Sequence, residues 1–369
     1  MGSTRPPAPL VFGPAYLDRV VRVDRPLVDP ALGGQSLDGS VDGVWLGPGA
    51  GLILLDPPGN RIVVELPGDW PGPSGTVGLS RELSGGLAGW SRTVRAVAWQ
   101  DDLGGMGSGF AAALGGELIH ALGPEDDPAS RAISALLARA GVVHHPIRVE
   151  GTPADWTLLV TSGGHGDKLP IGFRGCHASV AGLGPWASRP SGLRVVASLP
   201  NRLAAEALRG PSTVRMFAPA LRNMLDRDPP VPAFAEFIDV LCCNRGEWES
   251  LPAREEVAWQ TSILAVTDGP RGAWVRFTTP EGDAGRTEVP AFPRSSPPRD
   301  TNRAGEAFAS ELIATLIRAG WTPGVTPVDL IRLAAGRASA AAALVLDRTD
   351  FGFASADEID AALRAGRVG

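Results

Sequence analysis

The sequence predicts an α/β fold with a central, mostly parallel sheet covered by helices on both faces. Three observations carry that expectation. The chain has 369 residues, 44% hydrophobic and 20% charged, enough to bury a substantial core. Beyond Asp102, short apolar runs alternate with helix-period stretches in repeated strand and helix units. No internal repeat occurs at the periods of a solenoid or a propeller.

Along the chain, Val11 and Phe12 read as a short buried strand, 13–15 as a turn, and Tyr16 through alternating Val21, Arg22, Val23 and Asp24 as a half-exposed strand. Residues 33–89 are rich in Gly and Pro; the runs 51–55 and 61–66, separated by Pro57, Pro58, Gly59 and Asn60, predict a hairpin. The stretch 68–89 lacks periodicity and is expected to be loop. Gly104 and Gly105 precede 110–114, a small-residue run suited to a helix packed closely on a sheet. A strand at 117–121 follows, then an amphipathic helix over 127–139 with Ile133, Leu136 and Leu137 on one face. Strands are expected at 194–198, 214–217, 239–243 and 263–267, and helices at 202–208 and ending near 234–237. Three helices, 304–318, 327–344 and 357–363, close the chain.

Composition excludes several function classes. Asp and Glu outnumber Lys and Arg 40 to 34, a net charge of -6, without the basic excess that binding to a nucleic-acid backbone requires. Apolar runs such as 340–346 fall far short of the roughly 20 residues that span a bilayer. Pro6, Pro7, Pro9 and Asp18 interrupt any secretory leader, so a cytoplasmic protein is expected. Cys176, Cys242 and Cys243 form neither a disulfide framework nor a zinc motif and read as buried thiols. The one lysine, Lys168, is followed by neither Ser nor Thr, which excludes a P-loop. His120, His144, His145, His165 and His177 lack metal-ligand spacing.

Three segments have residues suited to chemistry. Asp300, Thr301, Asn302, Arg303, Ala304, Gly305 and Glu306 open the helix expected at 304–318. Free amides and the positive end of the helix dipole favour a phosphate there; the same residues also read as ordinary capping by Thr301 or Asn302, with Glu306 offsetting the dipole. Asn244 and Glu247 follow the strand 239–243, at the carboxyl end where open sheets bind ligands, and suit the water shell of a magnesium ion. Alone, they equally describe a solvated loop starting a helix. Thr267, Gly269 and Gly272 lie in a turn between the strands 263–266 and 273–277, either a structural hairpin or a backbone contact to a nucleotide.

In this order along the chain, the motifs resemble those of the ribokinase-like, or PfkB, carbohydrate kinases. Residues 300–308, DTNRAGEAF, match the family's D-T-x-G-A-G-D-x-F; Asn244 and Glu247 match N-x-x-E; Val266, Thr267, Gly269 and Gly272 match V-T-x-G-x-x-G. Residues 104–111, GGMGSGFA, resemble the first glycine signature, and 13–18 the sugar-contacting start, with Asp18 as its aspartate. The resemblance implies a ribokinase-like three-layer sandwich over 8–366, with a small β lid from segments of about 18–66 and 150–180. It also implies transfer of the γ-phosphate of ATP, with Mg2+, to a hydroxyl of a sugar or nucleoside. The carry-over makes Glu306 the base and assigns the anion hole to Ala304, Gly305 and Glu306, with Arg303 beside it. Asn244 and Glu247 would organise the metal; Asn244, Thr267, Gly269, Gly272, Asp300 and Thr301 would face the nucleotide; Asp18, Gly104, Gly105, Gly109 and Arg174 the acceptor. Lid strands in this family can also form a homodimer interface.

The chain departs from the family at Glu306 for aspartate, Arg303 for glycine and Gly109 for asparagine. At a helix N-terminus Glu306 is expected to have a lowered pKa and to stay ionised, and Arg303 to donate to phosphate oxygens. Two function classes stay open: a kinase, and a catalytically impaired protein of the same fold that binds a nucleotide or small metabolite. A Rossmann-type dehydrogenase is disfavoured, because Gly104 and Gly105 are not embedded in a GxGxxG spacing.

Overall fold

The computed structural model describes residues 8–23, 41–45, 52–55, 61–65, 75–82, 91–161, 168–173, 175–296, 298, 302–348 and 350–368. Strands β1 (Leu10–Phe12) and β2 (Tyr16–Val23) are followed by β3 (Val41–Trp45), β4 (Leu52–Leu55), β5 (Arg61–Glu65), β6 (Gly75–Glu82) and β7 (Ser91–Gly104). Next come α1 (Met106–Leu114), β8 (Glu117–Leu122), α2 (Pro128–Arg139), β9 (Val143–Arg148), β10 (Trp156–Thr161), β11 (Lys168–Phe173) and the short α3 (Cys176–Ser179). The alternation continues through β12 (Ser191–Ala197), α4 (Asn201–Leu208), β13 (Ser212–Ala218), α5 (Leu221–Leu225), β14 (Val240–Asn244), α6 (Arg245–Ser250), α7 (Arg254–Gln260) and β15 (Ile263–Thr267). An antiparallel pair, β16 (Ala273–Thr278) and β17 (Ala284–Val289), precedes the closing helices α8 (Ala304–Arg318), α9 (Val328–Val345) and α10 (Ala356–Ala365).

The main sheet has nine strands in the order β17-β16-β15-β14-β13-β12-β1-β8-β9. All its pairings are parallel except those of β16 with β15 and β17. Its central strands are unbroken apolar runs, Val240 to Cys243 and Ile263 to Val266 being buried throughout, as a sheet covered on both faces requires. Helices α1, α8 and α9 pack side by side on this sheet, and α2 and α4 pack against β9, β12 and β13. Alanines at 334, 335 and 338 let α9 approach its neighbours closely. Asp127 caps α2 by accepting from Ser130 N at 2.9 Å and also holds Ala154 N at 3.0 Å, tying the helix to the chain entering β10. The three cysteines are free and buried, and burial pushes the thiols of Cys176 and Cys242 up to about 12.

The second sheet is an eight-stranded closed barrel, β10-β11-β3-β4-β5-β6-β7-β2. The expected hairpin is present as β4 paired antiparallel with β5. The expectation of loop over 68–89 is corrected: β6 lies there, paired with β5 on one side and β7 on the other. The glycine- and proline-rich sequence around it hides the strand, whose pairing partners β5 and β7 come from either side in the chain. A parallel β2–β10 pairing closes the barrel and removes its edges.

Among the described residues, the largest fully buried side chain is Arg194, on β12. Its guanidinium lies over the Phe12 ring at 4.9 Å and donates to Ala187 O at 3.0 Å, Ala207 O at 2.8 Å and the carbonyl of Arg189. Burial, and then the nearby positive charge of Arg215, lower its pKa to about 10, so the cation persists at neutral pH. Arg194→Ala leaves three carbonyls without this donor and a gap under Phe12. A loss of about 3–5 kcal/mol is expected by urea denaturation, with Arg194→Lys recovering only part of it.

Candidate active site

The carboxyl ends of the parallel strands converge on one edge of the main sheet, where doubly wound folds bind their ligands. At the end of β1, a Cβ on Gly13 would lie 2.8 Å from Ala197 O and 2.9 Å from the Cα of Gly107. That contact seats the start of α1 on the turn between β1 and β2. Gly105, at φ 92, caps α1, and Ser108 Oγ donates back to Gly104 O at 2.7 Å. In the antiparallel β2–β7 ladder, Tyr16 lies opposite Gly104 and Asp18 opposite Asp102. A Cβ on Gly104 would fall on the Asp18 carboxylate. The structure thus brings together Asp18, Gly104 and Gly105, the residues that sequence reasoning placed on the acceptor side.

Helix α8 begins beside them. Its N-cap position is Arg303, whose side chain makes no capping hydrogen bond; Asn302, one of the expected caps, lies one residue earlier, and Thr301 lies outside the described residues. The first-turn amides of Ala304 and Gly305 have no main-chain acceptor within the helix, which is the arrangement an anion uses, while the Glu306 amide is hydrogen-bonded to its own carboxyl. Arg303 keeps the left-handed conformation a glycine would adopt, at φ 67, despite its Cβ. Its guanidinium lies 4.0 Å from Asp102 Oδ2 and over the Phe351 ring at 5.5 Å, with the side chain 10% exposed.

Glu306 stands in the first turn of α8, half-buried, and its pKa is raised. The expectation of a lowered pKa is corrected. Desolvation of the carboxyl outweighs the backbone hydrogen bond and the Arg303 charge that favour ionisation. Gly109 faces this side chain: a Cβ there would lie 3.3 Å from Glu306 Cγ and 3.5 Å from Phe353 Cζ.

Asn244 and Glu247 form a reciprocal capping box on α6: Glu247 N donates to Asn244 Oδ1 at 2.9 Å and Asn244 N to Glu247 Oε2 at 2.8 Å. Burial, opposed by these bonds but reinforced by the nearby Glu306 charge, pushes the Glu247 carboxyl up to about 7. Glu247 and Glu306, distant in sequence, therefore share one electrostatic environment. On the adjacent strand end, Thr267 Oγ1 donates to Cys243 O at 3.4 Å. Gly269 and Gly272 take φ 54 and 91, and a Cβ on Gly272 would collide with the backbone at Val289 and Ala291. Asp268 receives Arg245 at 2.7 Å and Arg271 at 2.6 Å, which lowers its pKa.

Arg174, Asp300 and Thr301 lie outside the described residues. Sequence reasoning missed Asp102, Phe351 and Phe353, which face Arg303 and Gly109. Asp102 has a signal in its place just before the Gly104–Gly105 pair; the two phenylalanines, in the loop after α9, have none. Also missed is a group at the end of β12, where Ser198 takes φ 47 and its carbonyl accepts from Arg222, which lies 3.2 Å from His177 Nε2. Among the described residues no cluster of three or more His, Cys, Asp or Glu side chains is suited to a metal, and no helix is long and apolar enough to cross a membrane.

Two outcomes follow from this geometry. Because the folded Glu247 titrates near 7 and an ordinary glutamate near 4.5, the folded chain binds more protons between those values and stability falls as pH rises through that window. Glu247→Gln should flatten that slope in denaturation curves taken from pH 4.5 to 7. Arg303→Ala and Arg303→Gly both remove the guanidinium, but only glycine sheds the left-handed backbone cost. The glycine variant should be the more stable by about 1 kcal/mol in thermal unfolding.

No protein-family model and no curated protein sequence matches the chain. Solved structures do. Ribokinase from Giardia lamblia superposes with a TM-score of 0.64 at 16% identity, covering 98% of this chain and 99% of that one. Methanocaldococcus jannaschii nucleoside kinase gives 0.62 at 12% identity, with 97% and 98% covered. Burkholderia thailandensis nucleoside kinase in complex with ADP and inosine gives 0.61 at 16% identity, with 97% and 96% covered. The chain has the ribokinase-like fold along nearly its whole length.

Proposed function

We propose that the protein is an ATP-dependent phosphotransferase that moves the γ-phosphate to a hydroxyl of a sugar or nucleoside. The observation that carries the reading is Glu306 in the first turn of α8, packed against Gly109 of α1 and electrostatically coupled to Glu247 of the Asn244–Glu247 box. The Giardia neighbour is a ribokinase, and the Burkholderia nucleoside kinase was crystallised with ADP and inosine, which supports a nucleotide donor and an acceptor of this class.

In this reading, Asp18 and Asp102 orient the acceptor hydroxyls by accepting their hydrogen bonds. Glu306 takes the proton of the attacking hydroxyl; a carboxyl raised from its ordinary range is better matched to that task near neutral pH than a fully acidic one. The amides of Ala304, Gly305 and Glu306 receive the charge that develops on the transferred phosphoryl oxygens. Thr267, Gly269 and Gly272 face the nucleotide; the resemblance would add Asp300 and Thr301 to the nucleotide side and Arg174 to the acceptor side.

The residues present fit a magnesium ion. The Glu306 charge adds to the negative potential at Glu247, which is the field a divalent cation relieves, and magnesium takes most of its ligands from water and phosphate. Glu247 would hold it, oriented by Asn244; the ion would supply neutralisation of phosphate charge. Arg303, directed at Asp102 and Phe351, would act on the acceptor side of the phosphoryl group.

The test is ATP turnover with magnesium across a panel of sugars and nucleosides, beside calorimetric titration of the nucleotide. Glu306→Gln should lower kcat by about 10²-fold or more with little change in nucleotide affinity. In the unaltered protein, kcat/KM should fall on the acid side at a pH above the 4.5 of an ordinary glutamate. Nucleotide binding with no turnover of any acceptor would favour a binding protein of this fold, and no binding at millimolar nucleotide would remove both readings.

A further inference from the structure

A glycine in the interior of a helix weakens it by about 1 kcal/mol relative to alanine, so Gly109, fourth residue of α1, needs a reason. Its amide makes the ordinary bond to Gly105 O at 3.3 Å, and its φ lies outside the left-handed region, so no turn requires it. The surroundings supply the reason. A Cβ at 109 would stand 3.3 Å from Glu306 Cγ, 3.6 Å from Glu306 Cβ and 3.5 Å from Phe353 Cζ. The first distance is tighter than ordinary carbon contact, and the Phe353 ring lies against the same position. Helices α1 and α8 are packed directly on each other here.

We infer that Gly109 is a positioning residue for Glu306: the space where its side chain would stand is bordered by the glutamate's methylene and by the Phe353 ring. Position 109 then governs where the acceptor oxygen of Glu306 lies, and so the length of acidic side chain that can serve the reaction. The catalytic consequence rests on the kinase reading above; the packing does not.

The experiment is a stability cycle read without any activity. Gly109→Ala in an ordinary exposed helix raises stability through the unfolded state. Here it should lower the unfolding temperature of the unaltered protein, by about 2–4 °C. In a Glu306→Ala background, where the Cγ is gone, the same change should raise it by about 1–2 °C. Glu306→Leu, which restores a Cγ without charge, should bring back the penalty and show that volume rather than electrostatics is responsible. Equal stabilisation by Gly109→Ala in all backgrounds would overturn the inference. With a phosphoryl acceptor in hand, Gly109→Ala should lower kcat about tenfold or more while leaving the nucleotide KM unchanged. An unchanged kcat beside the sign reversal would leave the packing standing and refute Glu306 as the base.

Discussion

The carboxyl edge of the main sheet is organised by a backbone contact that admits no side chain: Gly13 against Gly107 and the carbonyl of Ala197. Because these atoms touch, the first turn of α1 sits directly on the ends of β1 and β12. The rest of the site follows from that seating. The chain leaves Gly13 as β2 and returns as β7, so the Asp18 carboxylate ends against Gly104. Helix α1 then presents Gly109 to α8, where the methylene of Glu306 lies against it. A side chain at 13 or 107 would lift α1 from the sheet and separate all of these groups together.

On this frame, the electrostatics of the site are decided by competition. The amide field at the start of α8 and the Arg303 charge favour an ionised Glu306, yet burial wins. The amide field acts over one helical turn and is blunted by solvent, whereas desolvation reflects everything packed around the carboxyl. Glu247 shows the same balance: two hydrogen bonds to Asn244 do not offset burial and the neighbouring negative charge. Arg303 is held in a strained backbone conformation while its side chain is packed between Asp102 and Phe351. Strain of this kind persists where surrounding structure over-determines it, and here it coincides with the groups best placed for chemistry.

Much of the fold was legible in the residues. The strand and helix alternation after Asp102 appears at the expected places, since helix period, buried-strand runs and caps such as Asp127 act within a few residues. The hairpin of β4 and β5 was legible from its Pro-Gly-Asn turn, while β6 was not, because its support comes from strands on either side. The candidate site was legible in part. Asn244 and Glu247 lie at the start of α6 and Arg303 and Glu306 at the start of α8, the element boundaries that the sequence suggests, but the N-cap of α8, the direction of the Glu306 shift and the contact of Phe353 with position 109 did not follow from local rules.

By itself, then, the sequence determined the element order, the glycine turns at Gly105, Gly269 and Gly272, and the reciprocal cap of Asn244 and Glu247. These are interactions between near neighbours in the chain, and their physics is complete within a short window. Tertiary structure alone decided the closing of the barrel through β2 and β10, the meeting of Gly109 with Glu306 and Phe353, and the charge state toward which Glu306 and Glu247 are pushed. Strand closure, close packing and desolvation depend on atoms contributed by distant segments, so no window of sequence contains them.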